Sequence, residues 1–129
     1  MDLQKVSGGY KRLRIIEEAT KLVKMIYSVT GRFPPNERFG LTSQLRRAAV
    51  SIPTNIIEGH VRGGRKEFLQ FLLIANGSAV EVEYLLYLSH ELGFLTGTIY
   101  EDIENQRKKV AVYLNKLIGS VRLQTQQVT

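Results

Sequence analysis

Cysteine is absent from all 129 residues. That excludes disulfides, thiolate metal sites and a cysteine nucleophile. A membrane span is missing too. The apolar patch from Phe68 to Ala75 is interrupted by Gln70 and falls short of the roughly 18 residues that a crossing needs. The first 25 residues are cationic and hold no apolar core ahead of a cleavage site, so a cytoplasmic location is expected rather than secretion. Lys and Arg are absent from Glu67 to Gln106. Strand-like alternation, internal repeats and low-complexity tracts are also lacking.

The usual signs of catalysis are equally scarce. The two histidines, His60 and His90, have Ile57 and Tyr87 three residues before them. Neither pair therefore forms the Glu-x-x-His unit of a di-iron bundle. Both are expected to be surface or cap residues near helix ends. Gly63-Gly64-Arg65-Lys66 lacks the spacing and the preceding strand of a phosphate loop. No Ser/His/Asp set falls in a strand-turn-helix context. The expectation is a protein with no catalytic residue, no metal and no cofactor.

What the chain does contain is helical periodicity. At 129 residues and 43% hydrophobic content it suits one domain with a real core. Four helices are predicted, at about 10–30, 41–61, 65–92 and 98–122. The first follows a turn at Ser7-Gly8-Gly9 and carries Leu13, Ile16, Val23 and Tyr27 beside Ile15, Ala19, Leu22, Ile26 and Val29, a wide buried face. Gly31 and Pro34-Pro35 stop it. The second places Leu41, Leu45, Ala49, Ile52 and Ile56 on one face. Pro53 sits in its middle and should bend it. Gly63-Gly64 ends it.

The third helix is apolar nearly all round. Phe68, Leu72, Ala75, Ala79, Val82 and Leu86 form one stripe; Leu69, Leu73, Val80, Tyr84 and Tyr87 fill much of the rest. A bundle buries one stripe, so the surplus argues for self-association. Gly77 would permit a close crossing. The fourth helix is predicted to open on a capping box, Thr98-x-x-Glu101, with Ile103, Val110, Leu114, Leu117 and Val121 as its core stripe and a frayed end over 124–129. Short connections imply an all-α, antiparallel up-down-up-down four-helix bundle.

Charge adds the main functional signal. Net charge is +6. Residues 67–106 hold seven acids and no base, or −7; the remainder holds all eighteen Lys/Arg and five acids, or +13. Such a bipolar chain can set its acidic part against a neighbour's basic part and keep a basic surface for a polyanion. The nucleic-acid-binding candidates are Arg46, Arg47, Arg62, Arg65 and Lys66 around the second helix, and Arg107, Lys108 and Lys109 on the fourth, with Lys11, Arg12 and Arg14 on the first. Lys/Arg on one connected surface neutralise phosphates without reading sequence. Few aromatics interleave with these cations, so no stacking platform is evident. Arg46 and Arg47 have a structural alternative, pairing with Glu81, Glu83 or Glu91. Gln44, Arg47, Ser51, Asn55 and Glu58 line a polar stripe beside the second helix's apolar face. That stripe is expected to be partly buried and hydrogen-bonded. Glu58, one turn from Asn55 and Arg62, reads either as part of an inward network or as an exposed helix pair.

The long second-helix segment also carries a family resemblance. Residues 37–49, ERFGLTSQLRRAA, continue into Ser51-Ile52-Pro53, Asn55-Ile56 and Glu58-Gly59, then Lys66-Glu67-Phe68, the small-residue run Ala75 to Ala79, and Leu92-Gly93-Phe94. This pattern resembles the four-helix bundle family encoded in intervening sequences of bacterial 23S ribosomal RNA genes, over about residues 10–120. The resemblance implies a ring-forming homopentamer and no catalytic residues. It also implies kinship with accessory proteins of diversity-generating retroelements, which bind reverse transcriptase and nucleic acid. Members often carry Ala where this chain has Ile57, and an aromatic where it has His60. The combined expectation is a non-enzymatic, basic homo-oligomer, a pentamer by resemblance, that binds RNA or DNA, structured RNA foremost, and does not engage a membrane. The alternative is a scaffold or accessory subunit for a protein partner.

Overall fold

The computed structural model describes residues 13–128. The expected turn at Ser7-Gly8-Gly9, the helix start at Tyr10 and the candidates Lys11 and Arg12 lie outside the described residues. Four α-helices follow one another: α1 (Arg14–Thr30), α2 (Leu41–Val61), α3 (Arg65–Glu91) and α4 (Gly97–Val128). A single 3-10 turn, Pro35–Glu37, lies between α1 and α2. α1 packs on α2 and α4, and α3 packs on the same two. The short connections force sequential helices to run antiparallel, so the result is an all-α up-down-up-down four-helix bundle.

The core follows the expected stripes. Leu22 and Ile26 of α1, Leu45, Ile52 and Ile56 of α2, Leu72 and Leu86 of α3, and Ile103, Val110 and Leu114 of α4 are shut off from solvent. Leaving water stabilises each such side chain by about 1.5–3 kcal/mol. By length and composition α3 would also suit a membrane crossing, but its Leu72, Ala75, Ala79, Val82 and Leu86 face is the bundle's core. α2 and α3 approach closely at Gly59, where a Cβ would come within 2.5 Å of the Phe71 Cβ. Any side chain at 59 would wedge these helices apart.

The helix ends are locally specified. α3 closes in a Schellman motif: Phe94 N–H donates to the Ser89 carbonyl and Gly93 N–H to that of His90, both at 2.9 Å. Gly93 takes φ +81° to allow it. Gly63, just past α2, also takes a positive φ, +83°. Gly31 does not. It stays right-handed at φ −61°, and the chain tightens through Arg32 N–H to Val29 O and Phe33 N–H to Thr30 O. The stop therefore comes from Pro34-Pro35, which pushes Phe33 out of helical conformation.

Two expectations for α4 are corrected. Its cap is Thr96, whose hydroxyl accepts from Ile99 N–H at 3.3 Å; the Thr98-x-x-Glu101 box lies one turn fraction inside a helix that begins at Gly97. The helix also continues past Arg122 to Val128 instead of fraying from Gln124. Val121 is buried, Thr125 hydrogen-bonds back to the Val121 carbonyl at 2.9 Å, and Arg65 of α3 reaches the Gln124 carbonyl at 3.5 Å. These contacts hold the polar extension against the bundle.

Candidate nucleic-acid interface

The connection between α1 and α2 positions a basic concavity. Phe33 is buried and rests against Phe94 with ring centroids 5.4 Å apart, so the connection is pinned to one end of the bundle. Pro34-Pro35 pre-sets the backbone for the 3-10 turn. Glu37 on that turn accepts from Leu41 N–H at 3.1 Å and so caps α2, whose own N-cap residue, Gly40, has no side chain to offer. A Cβ at 40 would sit 2.9 Å from that carboxylate. Pinned at both ends, the turn presents Arg38 and Phe39 outward.

Beside them opens a cleft of about 630 Å³ between the end of α1 and the first half of α2. Arg38, Arg46 and Arg47 supply cations to it, and Tyr27 and Phe39 supply rings. Thr42, Ser43, Ser51 and Thr54 add hydroxyls, and no carboxylate lines it among the described residues. Arg46 is held in place: Nε donates to Thr30 Oγ1 at 2.9 Å, one terminal nitrogen reaches the Tyr27 carbonyl at 3.4 Å, and the guanidinium lies 4.5 Å from the Tyr27 ring centre. Tyr27 is 45% exposed; it belongs to this surface and not to the α1 core where its spacing placed it. Neither Arg46 nor Arg47 pairs with Glu81, Glu83 or Glu91 among the described residues.

The other candidates fall elsewhere. Arg62, Arg65 and Lys66 form a second basic patch at the α2–α3 corner, about 22 Å along α2 from Arg47 at 1.5 Å per residue. There Arg62 pairs with Glu58 at 2.9 Å and covers the Phe71 ring at 5.1 Å. Lys108 is exposed, whereas Lys109 lies 3.4 Å from Glu18. Arg107 is a correction. Only 7% exposed, it donates to both Glu104 oxygens at 2.7 and 2.8 Å and lies 3.4 Å from Glu83. The Glu104 hydrogen bond raises its pKa further. A guanidinium so committed is a structural ion pair and not a phosphate contact.

The polar stripe divides. Ser51 and Asn55 are half-buried; Ser51 shares a hydrogen bond with Ser78 of α3 at 2.7 Å, and Asn55 Nδ2 donates to the Ser51 carbonyl and hydroxyl at 2.8 and 2.9 Å. This joins α2 to α3. Gln44, Arg47 and Glu58 are exposed in the subunit. Glu58 is the exposed partner of Arg62 and contributes at most a few tenths of a kcal/mol in that pairing.

His90 meets the expectation of a cap residue: Nδ1 lies 3.1 Å from the Leu95 carbonyl and the ring stacks on Tyr100 at 4.7 Å. His60 is half-buried against Phe68, and its Nε2 has no hydrogen-bond partner among the described residues; desolvation lowers its pKa. No cluster of His, Asp and Glu able to hold a metal occurs among the described residues.

Glu18 is a buried acid where α1 meets α4. It accepts from Gln106 Nε2 at 2.9 Å, and that bond, foremost, holds its pKa below the ordinary value of 4.5. Because folding favours the ionised form, the stabilisation is complete above that value and is lost as pH falls through the lower, folded value. Urea midpoints should therefore drop below about pH 4.5, and Gln106→Leu should flatten that drop. An acid limb as steep in the variant as in the parent would refute the assignment.

Similarity to known proteins agrees with this architecture. A crystal structure at 1.70 Å of a protein of unknown function, from the S23 ribosomal protein family of Bacteroides thetaiotaomicron VPI-5482, superposes with a TM-score of 0.72 at 26% identity. The match covers 81% of this chain and 97% of that one. No curated protein matches the chain. Residues 11–116 match the family described as 23S rRNA-intervening sequence protein, and with most of the bundle inside that span the chain belongs to this family.

Proposed function

We propose that the protein is a non-enzymatic, basic homo-oligomer that binds nucleic acid through the Arg38–Arg46–Arg47 cleft. The cleft carries the reading: three guanidinium groups around one concavity, with hydroxyls between them and no carboxylate among the described lining residues. Phosphates fit that chemistry, because guanidinium forks match their oxygens; Thr54 donates its proton to the Val50 carbonyl and Ser51 is shared with Ser78, so the arginines supply the main donors. RNA is the favoured ligand by family resemblance.

Self-association rests on a separate observation. Leu73, Val80, Tyr84 and Tyr87 of α3 are 40–59% exposed. With Gly77 they recur every three or four residues along one edge, the spacing of a seam between helices. A Cβ at Gly77 would meet nothing within 4 Å, so nothing within the subunit uses the missing side chain, although glycine costs a helix about 1 kcal/mol relative to alanine. A second helix laid against this edge would use it. Five copies is the number carried by the resemblance.

The test is RNA affinity measured as salt is raised. Neutralising three phosphates predicts a log–log slope of about −2 for a single strand per engaged cleft, and Arg47→Gln, at an exposed residue with no ion pair among the described residues, should reduce it by about 0.7. No RNA affinity at low salt would instead favour the scaffold reading, in which the α3 edge receives a protein partner.

A further inference from the structure

Resting on that reading, we infer that the cleft selects unpaired nucleotides, with Phe39 as the platform on which a base stacks. Two aromatic rings and three arginines meet here from three separate elements: Tyr27 ends α1, Arg38 and Phe39 follow the 3-10 turn, and Arg46 and Arg47 open α2. Phe39 is 89% exposed, the most exposed large apolar side chain described. Its partner in the same connection, Phe33, is 6% exposed. The connection thus buries one phenylalanine as its anchor and holds the other in water. A phenyl ring left in water forgoes the gain of burial, part of which a base laid on one face recovers.

The surroundings suit a base with its phosphate. Arg38 lies over one face of the Phe39 ring, 5.5 Å from its centre, so a base stacks on the other face with Arg38 close enough to meet its phosphate. Arg46 is oriented by Thr30 and by the Tyr27 ring, so its guanidinium plane is ordered before any ligand arrives. Such a plane is itself a surface for stacking. A duplex offers phosphates to the same arginines but keeps its base faces stacked inside, so it gains nothing from Phe39. Every base has a π-face, so the preference is for strandedness and not for sequence.

The experiment compares a labelled 12-nucleotide RNA strand with the same sequence closed into a hairpin-capped duplex, by fluorescence anisotropy, on the full chain. The single strand should bind at least about tenfold more tightly. Phe39→Ala should weaken single-strand binding on the order of tenfold while leaving duplex binding, the salt slope and the oligomer mass unchanged. Phe39→Trp should restore the affinity. The unchanged salt slope separates lost stacking from lost phosphate contacts, since no counterion is involved. Equal losses on both RNA forms, or no loss on either, would overturn the stacking role and leave the phosphate-binding reading standing. A fall in oligomer mass in Phe39→Ala would overturn it by making Phe39 a contact between copies of the chain. No affinity of the parent protein for either RNA would remove the nucleic-acid reading itself, and this inference with it.

Discussion

Truncating Arg107 to alanine is expected to destabilise the bundle by about 3–5 kcal/mol, the cost of leaving one charge of a buried pair without its partner. The Arg107 side chain is 8% exposed and that of Glu104 is 14% exposed, at 2.7 Å. Their two parallel hydrogen bonds replace water on both groups at once. Glu83, at 52% exposure, adds a weaker, screened attraction. Removing Arg107 strands Glu104 beside Tyr100, whose own pKa is raised by burial foremost. Replacing Arg107 and Glu104 together with leucine should restore most of the loss, because an apolar pair carries no desolvation penalty. Urea denaturation of both variants decides it: a cost under 1 kcal/mol for Arg107→Ala would mean that solvent screens the pair. RNA affinity of the folded Arg107→Ala protein should match the parent. A selective loss of RNA binding would return Arg107 to the phosphate-contact candidates.

Why the sequence did not separate Arg107 from Lys108 and Lys109 is instructive. Three consecutive cations look like one patch, but a helix spreads them over roughly 200°. Only Arg107 falls in register with Ile103, Val110 and Leu114, all buried. The i, i+4, i+7, i+11 spacing was there to be read as a core stripe containing a charge. The bundle was legible for the same reason. α2 spans 41–61 as expected, because its apolar period is clean and glycine stands just outside each end. α4 was legible only in its apolar part; its last turns are polar and are held by contacts from α3, which periodicity does not register.

The cleft was only half legible. Arg46 and Arg47 stood out on α2, but Phe39 and Tyr27 lie 7 and 19 residues before Arg46 in the chain, on other elements. Their convergence depends on the Phe33 anchor and the Glu37 cap, two tertiary contacts without a periodic signal. The expectation that few aromatics accompany the basic residues holds along the sequence and fails in space. The polar stripe shows the same limit: Ser51, itself bonded by Asn55, finds Ser78 on α3, a partner that spacing along α2 does not name.

Placing a carboxylate at Val80 is expected to turn the oligomer into monomers and to lower RNA affinity by about 100-fold or more. Val80 is 56% exposed at the middle of the Leu73–Gly77–Val80–Tyr84–Tyr87 edge. In a lone subunit Val80→Glu faces water, so the helix and the bundle should survive with unchanged circular dichroism. Against a neighbouring helix the new charge would be buried without a partner, which association does not tolerate. The RNA effect follows from multivalency: linked clefts bind one strand with an effective concentration that a single cleft lacks, and that avidity amounts to about 10²–10⁴. Gly77→Ala supplies the complementary reading. In a solitary helix it should stabilise by about 1 kcal/mol, whereas at a close helix crossing the added methyl should weaken assembly. Light scattering of the parent, Val80→Glu and Gly77→Ala proteins, each at micromolar concentration, makes the comparison. A monomeric parent, or a Val80→Glu protein of undiminished mass, would remove this edge as the interface. Monomers that keep the parent's RNA affinity would show instead that each cleft binds alone.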